Sequence, residues 1–284
     1  MLKKSELLFY YREGIKETIT EVNKKTKNSE KSNLINKQMK NLLSSQLTML
    51  GSEDINDILL IHYTYYIVML ESRNQVWNYD YMAFSRRIGE LWEPFCKLPF
   101  QYSINPINFY EPPKYEEFKS NLQIDLLEFI EGLSLNSSDK KNLINYIDDI
   151  WAFSESGAIN LKEDLHFYIG DKYYVVDYKS GFSSNEKGNV NRLLQVAKLY
   201  TTIDYECMLF VRQREEENNH YLQTLKNSGL WNVYCSSDTY SKILEITGVD
   251  LRAWMDKNMD WANDISPEFK KYLIQNQLLQ YLTW

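Results

Sequence analysis

The spacing of hydrophobic positions divides the chain into a helical first part and a mixed α/β part. Before residue 153, apolar side chains recur at helical intervals among Leu, Lys, Glu and Gln, with few helix breakers. Pro94 should kink or end the fourth of the predicted helices, and the stretch from Pro99 to Pro113 should be a connection. The pattern predicts helices over residues 3–25, 31–50, 54–72, 80–97, 114–132 and 138–153.

At Leu165 the hydrophobic period changes to two. LHFYI and KYYVVDYK flank Gly170-Asp171, which predicts a β-hairpin. Helices close the chain, and Ser266-Pro267-Glu268 opens one of them. The order helix, strand, strand, strand, helix, strand predicts an α/β unit with a mixed sheet in helical surroundings. The segments that follow the hairpin are a helix over 189–203 and buried strands over 206–212 and 231–236.

Length and composition narrow the class of protein. The 284 residues are 44% hydrophobic, which is enough for a large core. Three distant cysteines (Cys96, Cys207 and Cys235) and three histidines disfavour structural zinc and disulfides, and favour a reduced, cytoplasmic setting. No signal peptide pattern is present. The most apolar run, 58–70, is shorter than the roughly 20 residues of a membrane span, so it should be a buried helix.

Charge is distributed unevenly. The net charge is −7, which argues against indiscriminate nucleic-acid binding. Residues 1–41 hold ten Lys and Arg against five Glu, so this segment is +5 and the remainder is −12. The basic start is either a solvated helical face or an arm that contacts phosphates.

Candidate chemistry lies at the end of the second hairpin strand. Asp177 and Lys179 are two residues apart and point to the same face of the strand. Hairpin pairing brings Asp164 to the same sheet edge. Two carboxylates provide the hard oxygen ligands that suit Mg²⁺ or Mn²⁺, and a nearby ammonium can orient a water or stabilise phosphate charge. The alternative is an Asp–Lys ion pair on the surface of an edge strand.

Residues 160–236 resemble the PD-(D/E)XK nuclease superfamily. The matching features are Asp164, the hairpin, Asp177-Tyr178-Lys179, and the helix and strand that follow. That family includes many restriction endonucleases and RecB-type nuclease domains. The resemblance implies a restriction-endonuclease-like core that hydrolyses double-stranded DNA with Mg²⁺, with Mn²⁺ able to substitute. It implies that Asp164, Asp177 and the Tyr178 carbonyl ligate metal and that Lys179 serves the attacking water. Glu163 stands in place of the family's proline, and would replace Asp164 if the register slipped by one.

Two helices extend the resemblance. RRIGELWE, residues 86–93, looks like the helix before the core in many restriction enzymes, where a glutamate faces the metal and a glycine allows close packing. Glu93 is the better candidate for that glutamate, and Glu90 the second; otherwise the helix is solvated, with Trp92 in the core. RecB-type nucleases have a glutamine and a tyrosine after the lysine. Gln195 and Tyr200 match them at a spacing of five, where four is usual.

Phosphate contacts are expected from basic residues near these elements. Gln195 either bonds a phosphate or Lys179, or lies on the helix surface, and His166 either faces the site or has a structural role. The candidates for nucleic-acid binding are Arg86, Arg87, Arg192, Lys198, Arg212 and Arg214.

The leading hypothesis is a Mg²⁺-dependent DNA endonuclease, most simply a type II restriction enzyme. A RecB-like exonuclease, or a nuclease subunit of a repair, recombination or defence complex, is the second reading, and a non-catalytic DNA-binding protein the third. GxxxxGK[ST] and GxGxxG are absent from the sequence, so no nucleotide cofactor is expected. Residues 1–79 would frame DNA or supply specificity. Residues 80–284 would be the nuclease core, with a helical insertion at 98–155 and a helical extension at 238–284. The family implies that a homodimer is an option.

Overall fold

The computed structural model describes residues 2–51, 54–152, 159–183 and 186–284. Over these residues the protein is a mixed α/β fold with twelve α-helices and one five-stranded sheet. The helices are α1 (Lys4–Val22), α2 (Asn28–Leu50), α3 (Ile55–Val76), α4 (Tyr81–Gln101), α5 (Tyr115–Gly132), α6 (Ser137–Ala152), α7 (Lys187–Thr202), α8 (His220–Asn227), α9 (Ser237–Thr247), α10 (Leu251–Asn258), α11 (Trp261–Asp264) and α12 (Pro267–Gln275). The strands are β1 (Asn108–Phe109), β2 (Leu165–Ile169), β3 (Lys172–Lys179), β4 (Glu206–Val211) and β5 (Asn232–Cys235).

The strands lie in the order β1-β2-β3-β4-β5. β1, β2 and β3 pair antiparallel, whereas β3, β4 and β5 pair parallel. The change of direction follows from the connections. A two-residue turn joins β2 to β3, while α7 and α8 provide the crossovers that parallel neighbours require. The predicted mixed sheet is therefore confirmed, and β3 lies at its centre.

The predicted hairpin is confirmed. Ile169 pairs with Lys172 across the turn, and Gly170 has a φ of 59°, a left-handed conformation that costs glycine no steric energy. The register runs on to Leu165 opposite Val176. Asp164 and Asp177 are the residues that come next after this last pair of the ladder.

The two faces of the sheet bury separate cores, because side chains alternate along each strand. Val176 and Tyr178 point toward the core that contains α4, the N-terminal helices and the C-terminal helices. Val175 and Leu209 point the other way, toward α7 and α8. Asp177 alternates with Tyr178 and so belongs to the α7 side.

The N-terminal helices pack into the same core as α4. The predicted burial of residues 58–70 is confirmed, since α3 is buried over most of its length. An ion pair between half-buried Arg12 and buried Glu71 joins α1 to α3: Arg12 donates from Nη2 to Glu71 Oε1 at 2.8 Å. Ser266 adds its backbone N–H to the same oxygen at 2.6 Å. Within the described ranges, none of the helices has the length and apolar character needed to cross a membrane.

Two local predictions about residues 80–113 need correction. Of the two outcomes expected at Pro94, an end of the helix is wrong, because α4 continues through Pro99 to Gln101. The apolar stripe of this helix, including Trp92 and Phe95, is buried, and that burial outweighs the hydrogen bonds lost at the prolines. The stretch read as a plain connection contains β1, whose two exposed residues form a strand only because β2 pairs with them.

The helices α5 and α6 are inserted between β1 and β2. Phe118 and Ile130 of α5 are buried, while Ile124, Phe129 and Tyr146 remain exposed. The predicted helices over 114–132 and 138–153 are confirmed to within the described residues; position 153 and the expected end of the insertion at 155 lie outside them. The short helix α8, after β4, was not predicted.

Candidate active site

The open end of the β2–β3 hairpin brings the predicted carboxylates together. Asp164 precedes β2, and its Oδ2 accepts a hydrogen bond from the Tyr178 backbone N–H at 2.8 Å. This bond continues the hairpin by one step and fixes the Asp164 carboxylate beside the end of β3. Asp164 and Asp177 are close enough that the negative charge of the first raises the pKa of the second.

Asp177 and Lys179 form an ion pair at the end of the central strand. Lys179 Nζ contacts Asp177 Oδ2, and it also lies 3.3 Å from the Tyr178 carbonyl oxygen. Although the ammonium is close, Asp177 Oδ2 accepts no well-oriented hydrogen bond among the described residues. Asp177 is only 2% exposed. Burial at the centre of a sheet rules out the alternative of a solvated pair on an edge strand.

Glu163 adds a third, buried carboxylate. Arg192, on α7, pairs through Nη1 with Glu163 Oε1, and its Nη2 lies 3.5 Å from Asp177 Oδ1. The Glu163 backbone N–H donates to His166 Nε2 at 2.9 Å. Burial lowers the pKa of His166 to about 4, so the ring is neutral and can accept this bond. His166 thus supports the site through the Glu163 backbone, from the same face of the sheet as Asp177.

The site has an excess of negative charge. Burial raises the pKa of Asp177 well above its usual range; Lys179 opposes this effect, and Asp164 and Glu163 add to it. Burial lowers the pKa of Arg192, but its hydrogen bond to Glu163 and the negative charges of Glu163, Asp177 and Asp164 together outweigh burial, and the net shift is upward. Three carboxylates therefore share two cationic side chains, and a further positive charge would stabilise the ionised form of Asp177.

These residues fit a hard divalent cation by their chemistry. Asp164, Asp177 and the Tyr178 carbonyl supply oxygen ligands of the type that Mg²⁺ and Mn²⁺ prefer. As they stand, no group of three or more His, Cys, Asp or Glu side chains in the described parts of the chain is arranged to hold a metal ion. Arg192 and Lys179 are in contact with the carboxylates that would have to converge on one.

The helix α4 packs directly against the end of β3. A Cβ added at Gly89 would lie 2.7 Å from Ser180 Cβ and Oγ, so glycine allows this close approach. Glu93 lies one turn after Gly89, and its carboxylate accepts a hydrogen bond from Lys97 at 2.6 Å. Glu90 instead pairs with arginines of its own helix. No hydrogen bond or ion pair among the described residues joins either glutamate to Asp164 or Asp177. Lys97, the partner of Glu93, lies 5.5 Å from the centre of the Tyr178 ring on β3.

No hydrogen bond or ion pair among the described residues joins either residue of the RecB-like comparison to the carboxylates or to Lys179. Gln195 is exposed on α7. Tyr200 is buried, and its hydroxyl donates to the Leu161 carbonyl at 2.7 Å. That bond anchors the segment that leads into Glu163, which is a structural role.

The predicted phosphate-contacting residues differ in solvent exposure and in the partners they already have. Arg86, Lys198 and Arg214 are exposed. Arg87 pairs with Glu90 at 2.8 Å. Arg212 donates from Nε to Ser180 Oγ at 3.0 Å, and from Nη1 to the Thr283 carbonyl at 3.1 Å.

An open cleft adjoins the end of β3. Its volume is about 820 Å³, and its lining includes Tyr81 and Arg86 from the start of α4, Ser180 after β3, and Arg212 with Gln213 after β4. The contribution of Gln213 was not foreseen from the sequence. Asp164, Asp177 and Lys179 do not line the cleft, which adjoins the candidate site only through Ser180 and the residues that follow it.

The chain matches no protein-family model, and neither curated proteins nor solved structures show a match to it. The chemistry of the site is therefore the basis for any functional assignment.

Proposed function

We propose that this protein is a metal-dependent DNA endonuclease of the type II restriction class. One observation carries the proposal: Asp164, Asp177 and Lys179 converge at the end of a central strand, where Asp177 is buried with a raised pKa. A buried carboxylate that lacks a full set of hydrogen bonds is costly to the fold, and such perturbed groups concentrate at functional sites.

The order of the elements supports the same proposal. α4, β1, β2, β3, α7 and β4 follow each other as helix, strand, strand, strand, helix, strand, with α5 and α6 inserted after the first strand. This is the order expected of a restriction-endonuclease-like core. The close packing of Gly89 on Ser180 matches the expected role of that glycine.

The proposed reaction is hydrolysis of a phosphodiester. A water oxygen bonds to phosphorus, one P–O bond to a sugar oxygen breaks, and the water's proton ends on the leaving oxygen. Asp164, Asp177 and the Tyr178 carbonyl would hold the metal, which when bound supplies a more acidic water and polarises a phosphoryl oxygen. Lys179 would orient the attacking water, or stabilise charge on the phosphate oxygens, from its position beside Asp177.

Endonuclease activity is favoured over a RecB-like exonuclease by the helix α7. The Tyr200 hydroxyl is committed to the Leu161 carbonyl, and Gln195 is exposed. Neither residue of the RecB-like pair contacts the carboxylates or Lys179, so the features that would favour that class are weak.

The testing experiment is incubation of supercoiled and linear DNA with purified protein in Mg²⁺ and in EDTA. We expect closed circular DNA to be cut only with the metal, into discrete fragments. Asp177→Asn should lose cleavage because it removes a metal-binding charge while preserving side-chain volume. Asp171→Asn makes the same change in the exposed hairpin turn and should cleave normally. Full activity in EDTA, or normal cleavage by a folded Asp177→Asn protein, would refute the proposal.

A further inference from the structure

Arg192 lies between two carboxylates of the candidate site. Its guanidinium pairs with Glu163 through one nitrogen and is 3.5 Å from Asp177 through the other. The carboxylates are nearly inaccessible, with side-chain exposures of 1% for Glu163 and 2% for Asp177, whereas that of Arg192 is 37%. The arginine therefore bridges two buried anions while retaining a route to solvent.

The fold fixes the positions of both Arg192 and its partner Glu163. On one side, α7 buries Leu193 and Val196 against the sheet, which places Arg192 at the strand ends. On the other side, the His166 ring accepts from the Glu163 N–H, and the Tyr200 hydroxyl holds the segment before it. The position of the guanidinium is thus a built feature rather than one choice among many for a surface side chain.

The two contacts of Arg192 are unequal. The contact to Glu163 is a charge-assisted hydrogen bond, whereas the 3.5 Å separation from Asp177 is only an ion-pair distance. Rotation about the Glu163 contact would release Asp177 first. Asp177 is also the carboxylate that the proposed function assigns to the metal.

We propose that Arg192 is an exchangeable counter-ion, which neutralises Asp177 while the metal is absent and turns outward to hold a DNA phosphate when a divalent cation binds. This inference rests on the proposed function. Lys179 and Arg192 already lie beside Asp177, so a metal ion would bring a third positive charge to this carboxylate. The metal would repel the Arg192 guanidinium, whose contact with Asp177 is longer than that of Lys179, and would compete with it for Asp177. Arg192 is then a positioning residue in the free protein and a phosphate contact in the complex.

The exchange makes a reciprocal prediction. If metal binding frees Arg192 for phosphate, metal must raise DNA affinity, and DNA must raise metal affinity by the same factor. Removing Arg192 should therefore tighten metal binding in the absence of DNA and reduce the coupling between the two ligands. A purely structural arginine would have the opposite effect on metal binding, because its loss would disorder the ligands.

The test is Mn²⁺ binding without DNA, measured by electron paramagnetic resonance of the free ion. Arg192→Gln should bind Mn²⁺ about tenfold more tightly than the wild type, within the usual range of coupling between sites. Lys187→Gln removes one positive charge from an exposed position at the start of the same helix and should leave the affinity unchanged. DNA affinity by fluorescence anisotropy should rise on addition of Ca²⁺ in the wild type, and rise less in Arg192→Gln.

Folding is checked by circular dichroism. If Arg192→Gln does not fold, the double variant Glu163→Gln/Arg192→Gln replaces it, because it removes one charge of each sign. The double variant should bind Mn²⁺ more tightly than Glu163→Gln alone. Unchanged or weaker Mn²⁺ binding by a folded Arg192 variant, beside a wild type that binds Mn²⁺ and cuts DNA, would overturn the exchange alone. A wild type that neither binds Mn²⁺ nor cuts DNA would overturn the proposed function and the exchange together.

Discussion

Two buried arginine–carboxylate clusters in this protein differ in one respect that separates structure from chemistry. In the first, Arg12 donates from both Nε and Nη2 to Glu71, and Ser266 completes the bonding of that carboxylate. In the second, Arg192 and Lys179 face three carboxylates, and Asp177 Oδ2 accepts no hydrogen bond from the described residues. The first cluster is balanced and the second is not.

The contrast between the two clusters shows which kind of ion pair indicates a functional site. A balanced pair ties elements together, and its removal leaves a charge without compensation. A cluster with excess negative charge lowers the stability of the free protein. Such a cluster is typical of a functional site, where a bound ligand supplies the missing positive charge. The imbalance, rather than burial or the presence of an arginine, marks the end of β3 as the candidate site.

The largest expected effect is on catalysis, at Lys179. Lys179→Ala should lower the single-turnover cleavage rate by about 10³-fold, because the ammonium beside the scissile phosphate is lost. Lys179→Arg should restore little, since a planar guanidinium does not replace a compact ammonium at a tight site. Circular dichroism establishes folding. A folded Lys179→Ala protein that cleaves at the wild-type rate would show that the cluster at the end of β3 is structural, like the Arg12–Glu71 cluster.

The next effect is on stability, at the balanced cluster. Arg12→Met should lower the free energy of unfolding by about 2–3 kcal/mol, because Glu71 would remain buried without its partner. Urea denaturation measures the change, and added Mg²⁺ should not offset it. Arg86→Met, at an exposed arginine paired only within its own helix, should cost less than about 1 kcal/mol. Equal losses from the two variants would mean that the Arg12 cluster is no more than a surface pair.

The smallest effect concerns the stability cost of the candidate site itself. Asp177→Asn should raise the free energy of unfolding in EDTA by about 1 kcal/mol, as substitutions that relieve strained sites do. The pKa of Asp177 is raised in the folded state, so between its unfolded value of 3.8 and its folded value the native protein binds more protons. Wild-type stability therefore falls as pH rises through that window, and the advantage of Asp177→Asn grows.

Urea denaturation of both proteins at several pH values provides the check. Glu71→Gln is the comparison variant, and it should be destabilised rather than stabilised. If Asp177→Asn lost as much stability as Glu71→Gln, the two clusters would have the same energetic character, and the contrast between them would disappear.

The sequence predicted the parts of the site that depend on local rules. The two-residue spacing of Asp177 and Lys179 put them on one face, and the Gly170 turn set the register that brought Asp164 beside the end of β3. The role of Arg192 against Glu163 depends on how α7 docks on the sheet, which periodicity does not specify.

Contacts between distant segments also explain why two predictions about the fold were wrong. β1 exists through its pairing with a strand more than fifty residues away, and its own two residues have no strand pattern. α4 continues past Pro94 because tertiary burial outweighs the local propensity of proline to break a helix. Predictions succeeded where neighbours along the chain decide the outcome and failed where distant segments do.

The contacts between the two ends of the described chain have a consequence for the timing of folding. Lys4 binds Asp264 at 2.7 Å across 260 residues of sequence, and the indole of Trp284 donates to the Ile88 carbonyl of α4 at 3.2 Å. Contacts of such long range form late, after the loop-closure cost has been met. At synthesis rates of roughly 5–20 residues per second, about 13–50 s separate the synthesis of Lys4 from that of Asp264. We expect α4, the helix that packs on the candidate site, to be fully anchored only after Trp284 has been synthesised.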